Sequence, residues 1–174
     1  MKKPFSLLTL VMSITFVGCT QNDVPKKSVD IKTYQVSDVA QLQKRFEQLN
    51  AKLTTDFQHF KQVESIAFAQ QSPLDANNLK TLNMHLVAST ALKPTKIAYC
   101  DLMNGYFVEM YRLGHYNLAL VNDLKLPNAE QENLAQDFAS PAQFYDFILN
   151  RYTTYRQVQQ VMGYGCNLKA ALKE

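Results

Sequence analysis

Residues 97–113 read IAYCDLMNGYFVEMYRL and set the architecture of this chain. Apolar side chains recur in this segment at three- and four-residue steps, which is the spacing of one face of an α-helix. They form two neighbouring stripes, one of Ile97, Cys100, Met103, Phe107 and Met110 and one of Tyr99, Leu102, Tyr106 and Leu113. An apolar arc this wide predicts a helix that lies at the centre of a bundle or contacts a partner.

Two glycines interrupt this predicted helix. Gly105 in its middle costs about 1 kcal/mol relative to alanine, which indicates that another backbone approaches closely there. Gly114 is expected to close the helix as a left-handed cap.

A long first helix is predicted before this segment. Its apolar stripe consists of Val39, Leu42, Phe46, Leu49, Leu53, Phe57, Phe60, Val63 and Ala67. Ser37 or Asp38 can cap its start, and the proline in residues 70–73 ends it. A coiled-coil dimer is the alternative, but Asp56 interrupts the stripe and flanking charge pairs are missing. Packing within its own domain is therefore the favoured interpretation.

Other patterns predict further helices. They cover about residues 75–92, 115–126, 128–138 and 141–162, with one or two turns over residues 166–172. The first of these rests on Leu79, Leu82 and Leu86. Residues 140–143, SPAQ, supply a cap, a first-turn proline and a glutamine at the capping-box position. Gly163 is expected to stop that helix.

The arrangement of these segments predicts an all-α fold. Strand alternation is not convincing anywhere, and the links between helices are short. We expect an antiparallel bundle of about four main helices plus short accessory helices. The core stripe of the last main helix consists of Phe144, Ile148, Tyr155, Val158 and Met162.

A second stripe on the helix over residues 141–162 is a candidate partner-binding surface. It consists of Tyr145, Leu149, Tyr152 and Arg156 at four-, three- and four-residue steps. Tyrosine and arginine favour protein contacts because they bury area while the polar tip finds a partner. The alternative is that this stripe is another packed face of a central helix.

The N-terminus carries a processing pattern. Met1-Lys2-Lys3 precedes an uncharged apolar run over residues 4–17, and the run ends in the tetrad Phe16-Val17-Gly18-Cys19. The charged region, apolar region and small residue stand in the secretory order, and the run is short for a membrane span. This segment resembles the signal peptide of bacterial lipoproteins, with Phe16 where that family usually places an aliphatic residue.

The resemblance implies that residues 1–18 are a signal peptide and that Cys19 becomes the lipidated mature N-terminus. Thr20 after the cysteine, rather than aspartate, implies an outer-membrane anchor. We expect the domain to lie on the periplasmic face rather than on the cell surface. Several acyl chains on one residue would hold the protein to the membrane permanently. Residues 19–37 are then predicted to form a flexible tether to a helical domain over residues 38–174.

The other two cysteines are expected to pair. Once Cys19 carries lipid, Cys100 and Cys166 are the remaining thiols of three, in an oxidising compartment. Neither lies in a CxxC arrangement or near a histidine, which argues against a redox or hydrolytic role. A disulfide closing so long a loop stabilises by roughly 4 kcal/mol on the chain-entropy model.

Length and charge limit the possible partners. Removing residues 1–18 from the 174-residue chain leaves 156 residues, enough for one domain with a core. The formal charge falls from +3 to +1 because Lys2 and Lys3 are removed. No run of basic residues with interleaved aromatics remains, so nucleic acid is excluded as a partner.

The sequence predicts no enzyme, no metal site and no cofactor. His59, His85 and His115 are scattered, without the HExxH or Cys/His spacings of zinc sites. A GxSxG elbow and a glycine-rich phosphate loop are also missing. The methionines at positions 84, 103, 110 and 162 are expected to fill the core rather than bind copper.

Two classes of function fit these observations. The favoured one is a non-catalytic, lipid-anchored envelope protein that binds another envelope protein, as an accessory or assembly factor or as an inhibitor or immunity protein. The alternative is a periplasmic carrier of a small hydrophobic ligand or lipid, with the apolar arcs lining a cavity. Bulky aromatic side chains that fill space favour the first. The oligomeric state is left open.

The lipid anchor is tested by the mass of the protein extracted from envelopes. The expected mass is that of residues 19–174 plus acyl chains on Cys19. A chain that begins at Met1 and carries no fatty acid would contradict both the location and the cysteine pairing.

Overall fold

The computed structural model describes residues 29–124, 139–151 and 153–173. Its α-helices are α1 (Val39–Val63), α2 (Lys93–His115), α3 (Pro141–Arg151), α4 (Thr153–Met162) and α5 (Leu168–Ala171). Short 3₁₀ segments of one or two turns cover Ile31–Thr33, Ser65–Ala67, Leu79–Met84 and Leu118–Asp123. These ranges contain no β-strand, so the predicted all-α bundle is confirmed. None of their helices is long and apolar enough to cross a bilayer.

Helices α1 and α2 pack against each other in antiparallel orientation. At one end the Thr95 hydroxyl donates to Glu64 Oε2 at 2.7 Å. Further along, the Tyr106 hydroxyl donates to Asn50 Oδ1 at 2.8 Å. Residue numbers rise along α2 as they fall along α1, which fixes the opposite directions of the two helices.

Helix α2 lies at the centre of the bundle, as its two apolar stripes predict. On the side away from α1, Tyr155 of α4 places its ring 5.1 Å from that of Phe107 and donates to Asn104 Oδ1 at 3.0 Å. The Cys100–Cys166 disulfide joins α2 to the segment after α4, with an S–S distance of 2.08 Å. The predicted disulfide is therefore confirmed.

The helix starts follow the capping chemistry of the sequence. Asp38 is the residue that caps α1, and its Oδ1 accepts from the Gln41 amide at 2.8 Å. Ser140 Oγ accepts from the Gln143 amide at 3.2 Å, as the predicted capping box requires. Gly163 ends α4 with a φ of +64°, a conformation that glycine adopts without strain.

The prediction of a second helix over residues 75–92 is wrong. Only the 3₁₀ turn Leu79–Met84 forms there, and it packs against α4. Asp75 turns the chain before it by accepting the Asn77 amide at 2.9 Å. Val87, which follows the turn, pairs with Phe68, which precedes it, in an isolated antiparallel bridge. Buried leucines at helical spacing here reflect a short turn on the core rather than a continuous helix.

Other predicted boundaries also shift. Helix α1 ends at Val63 because the chain passes through a 3₁₀ turn into extended backbone at Phe68. The helix expected over residues 141–162 is present as α3 and α4. The short helix predicted over residues 128–138 lies outside the described residues.

Three predictions about α2 need correction. Apart from its chain neighbours and the adjoining backbone of α2 itself, nothing in the described chain lies within 4 Å of a Cβ added at Gly105, so no other described segment brings its backbone close to it. Gly114 has no left-handed conformation and lies inside the helix, where a Cβ would overlap the Phe144 ring. Ile97 was expected in the core and is 38% exposed.

The two glycines of α2 therefore predict opposite effects of the same substitution. Gly114→Ala is expected to lower the free energy of unfolding by about 1–3 kcal/mol, because the Phe144 ring must move. Gly105→Ala is expected to raise it by about 0.5–1 kcal/mol, because alanine is the better helix former and meets no neighbour. Urea unfolding of both variants measures this, and a neutral Gly114→Ala would contradict the packing of α3 on α2.

Candidate functional site

Aromatic rings fill the space between α1, α2 and α4. Tyr99 of α2 has no exposed surface and lies with its ring centroid 6.1 Å from those of both Phe57 and Tyr155. Phe60 and Phe68 extend the cluster, with centroids 5.5 Å apart. Burial raises the pKa of Tyr99 well above its usual range, so its phenol stays neutral. The interior at this level is occupied by protein side chains.

A lysine and a histidine are buried together beside this cluster. Lys61 of α1 has no exposed surface, and its Nζ donates to the Ser72 carbonyl at 2.8 Å. The same Nζ lies 2.7 Å from Nδ1 of the buried His85. The rings of Phe57 and Phe68 face the ammonium group at 5.8 and 5.6 Å. The lysine thus ties α1 to the loop before α2.

Burial controls the charge of both groups. It lowers the pKa of Lys61 because the charged amine loses hydration. Burial also lowers the pKa of His85, and the positive charge of Lys61 lowers it further. Nδ1 of a neutral His85 can accept a hydrogen bond from the lysine ammonium group, whereas a protonated imidazole would repel the lysine. The pair is therefore a structural contact that stabilises the fold only while His85 is neutral.

The sequence analysis missed this pair because it placed the buried face of α1 slightly wrong. The buried residues of α1 are Leu42, Phe46, Asn50, Leu53, Phe57 and Lys61. Lys61 lies four residues after Phe57, so it continues the apolar stripe, and Asn50 stands within that stripe as well. A polar residue at a core position, with its helical neighbours apolar, was the available signal.

Only part of the predicted partner-binding stripe is open to solvent. Arg156 is exposed, while Tyr145 and Leu149 are half-buried and pack against the core. The Tyr145 hydroxyl reaches the Lys169 carbonyl at 3.5 Å, so the C-terminal segment covers part of this face. Tyr152 lies outside the described residues, as does the predicted lipidation site Cys19. A role for this stripe in binding stays a prediction.

One end of the bundle exposes large aliphatic side chains. Val63, Ile66 and Leu92 are 65%, 97% and 73% exposed, and we refer to these three residues as the distal apolar end. Each lies within three residues of Glu64 or Thr95, whose side chains are hydrogen-bonded where α1 meets α2. Single exposed aliphatic residues are common, but three at one corner indicate a contact surface.

The N-terminal segment joins the bundle at the opposite end. The Tyr34 hydroxyl donates to Glu109, with oxygen distances of 2.9 and 3.0 Å. Asn117 donates to the Tyr34 carbonyl at 2.9 Å and accepts from the Val36 amide at 3.0 Å. Part of the segment predicted as a tether is therefore docked on the bundle. Helix α1, which runs between this end and the distal apolar end, has 25 residues and is about 37 Å long.

A surface groove runs between α1 and α2. Its volume is about 730 Å³, and Leu49, Leu53 and Leu102 contribute apolar surface to it. Gly105 also lines it. We refer to this feature as the α1–α2 groove.

The described residues contain no group of three or more histidine, cysteine or acidic side chains placed to hold a metal. His59 is exposed, His85 contacts Lys61, and His115 Nδ1 lies 3.1 Å from the Tyr111 hydroxyl. The three histidines lie in three different environments. No known protein family, curated protein or solved structure matches this chain.

The Lys61–His85 contact predicts a loss of stability at acidic pH. The pKa of His85 is lower in the folded chain than in the unfolded chain, where it is about 6.5. Below about pH 6.5 the unfolded chain binds more protons, so the free energy of unfolding falls as the pH falls. His85→Asn keeps an acceptor near the position of Nδ1, but the asparagine side chain does not titrate. On acidification the unfolding free energy of this variant is therefore expected to fall less than that of the wild type.

Urea unfolding at about pH 7.5 and pH 5 measures the difference. His59→Asn, at an exposed histidine, is the matched control and is expected to keep the wild-type fall. An equal fall in His85→Asn and the wild type would contradict a role for the buried pair.

Proposed function

We propose that this protein is a non-catalytic, lipid-anchored protein of the bacterial envelope that acts by binding another protein. The anchor is a lipid on Cys19 in the outer membrane, with the domain on the periplasmic face. The bound protein is a component of an envelope assembly that this chain assists, or a toxic enzyme that it inhibits. The proposal rests on the lipoprotein-like N-terminus together with one feature of the surface.

The distal apolar end is the observation that carries this proposal. Ile66 and Leu92 make few contacts with their own domain, so the fold gains little from their apolar character. Burying an aliphatic side chain in a complex contributes about 1.5–3 kcal/mol. Lys93 directly follows Leu92 and places a positive charge beside the apolar surface. A protein partner with apolar residues and an acidic rim fits such a surface.

The position of this end favours a protein over the anchoring membrane. The ten residues 19–28 connect Cys19 to the described structure and span roughly 35 Å when fully extended. A flexible chain of that length has an r.m.s. end-to-end distance of about 17 Å. The docked Tyr34 then keeps the opposite end of the bundle near the bilayer. The distal apolar end points away from the membrane into the periplasm.

The carrier function has one observation in its favour, the α1–α2 groove. Its volume of about 730 Å³ lies within the range of small-molecule sites. Against it, the interior between α1, α2 and α4 is filled by the rings of Phe57, Tyr99 and Tyr155. The groove is thus a surface feature rather than an enclosed cavity.

The binding function is tested by cross-linking in intact cells, followed by mass spectrometry. The full-length protein is compared with the double variant Ile66→Ser and Leu92→Ser. We expect the double variant to capture at least tenfold less of a specific cross-linked protein than the wild type does. Its melting temperature should stay nearly unchanged, because both side chains are exposed.

Val161→Ser is the matched control, since Val161 is an exposed aliphatic residue on α4. It is expected to keep the cross-linked protein. Equal capture by the double variant and the wild type would contradict a role for the distal apolar end. Stoichiometric binding of a hydrophobic fluorophore, with no protein captured, would favour the carrier function.

A further inference from the structure

Gly105 lies in the α1–α2 groove in a way that the fold itself does not require. It stands inside the 23-residue helix α2, where glycine costs about 1 kcal/mol relative to alanine. Apart from its chain neighbours and the adjoining backbone of its own helix, no atom of the described chain lies within 4 Å of where its Cβ would be. By contrast, Gly114 in the same helix makes room for the Phe144 ring. Gly105 therefore leaves the groove open without improving any internal contact.

The groove has the length and surface of a helix-binding site. From Asp101 to Arg112 it follows α2 over twelve residues, a rise of about 16 Å or three helical turns. Leu49, Leu102 and Val108 are half-buried along it and present apolar surface. Amphipathic helices bind to such grooves with their apolar face inward.

The charges differ between the two ends of the groove. Because Phe57 packs on Tyr99 in the antiparallel pair, Asp56 lies across from Asp101. Asp56 is paired with Lys52, but Asp101 is exposed and has no ion pair among the described residues. At the other end, Arg112 and Glu109 neutralise each other at 2.9 Å. The Asp101 end therefore carries an unbalanced negative charge.

We propose that the α1–α2 groove binds an amphipathic helix of a partner protein, about three turns long, with its apolar face over Gly105 and basic residues at the Asp101 end. Glycine allows the incoming helix to approach α2 closely, as small residues do at helix contacts. This inference rests on the proposed function, since it gives the protein-binding activity a second surface and a partner chemistry.

The test uses the complete mature chain with Cys19→Ser, which removes the lipid that would bind the probes nonspecifically. All described contacts lie within residues 29–173, so they are unaffected by this change. The probe is a fluorescent twelve-residue helix of leucine, alanine and glutamine with two lysines in its last turn. Its twin carries glutamates in place of the lysines. Fluorescence anisotropy measures binding of each.

We expect saturable binding of the lysine peptide and at least tenfold weaker binding of its glutamate twin. Gly105→Leu should weaken binding of the lysine peptide at least tenfold, because the new side chain fills the groove. It should not lower the melting temperature. Gly165→Leu is the matched control, since Gly165 is also exposed with nothing within 4 Å of an added Cβ. Asp101→Asn should weaken binding of the lysine peptide but not binding of its glutamate twin.

Failure of both peptides to bind would overturn the inference. So would equal binding of the two peptides, or full binding by the Gly105→Leu variant. One-to-one binding of a hydrophobic fluorophore that Gly105→Leu abolishes, with neither peptide bound, would make the groove a small-molecule site instead. These results do not bear on the proposed role of the distal apolar end. The cross-linking experiment with the Ile66→Ser and Leu92→Ser double variant tests that role separately.

Discussion

The burial of α2 between α1 and α4 is the constraint that shapes this protein. Tyr99 of α2 has no exposed surface and contacts the rings of Phe57 and Tyr155 from the two neighbouring helices. One residue later, Cys100 binds the segment after α4 covalently through Cys166. Because side chains fill this interior, the apolar surface left for function lies outside, in the α1–α2 groove and at the distal apolar end.

The two ends of the bundle have different tasks under the proposed function. Tyr34, held by Glu109 and Asn117, sets where the lipid-linked segment meets the domain. A lipid on Cys19 would therefore orient the bundle as well as retain it. Ile66 and Leu92 are exposed at the other end of α1, where a periplasmic protein could reach them.

The sequence predicted the bundle well because its helices are amphipathic and its caps are chemically explicit. The stripes of α2, the Ser140 cap, the Gly163 stop and the cysteine pair are local or count-based signals. It failed where tertiary contacts override local spacing. The leucines over residues 79–86 mimic a helix, and Lys61 is polar yet buried against His85. Likewise, the open space beside Gly105 depends on which segments pack around α2, and the local sequence does not specify this.

Native-state hydrogen exchange examines the central packing most directly, because it reports the free energy at which each segment opens. We expect the amides of residues 99–110 in α2 to exchange only through global unfolding, with the longest protection in the chain. The 3₁₀ turn Leu79–Met84 should open at a lower free energy. Faster exchange in α2 than in that turn would contradict a bundle built around α2.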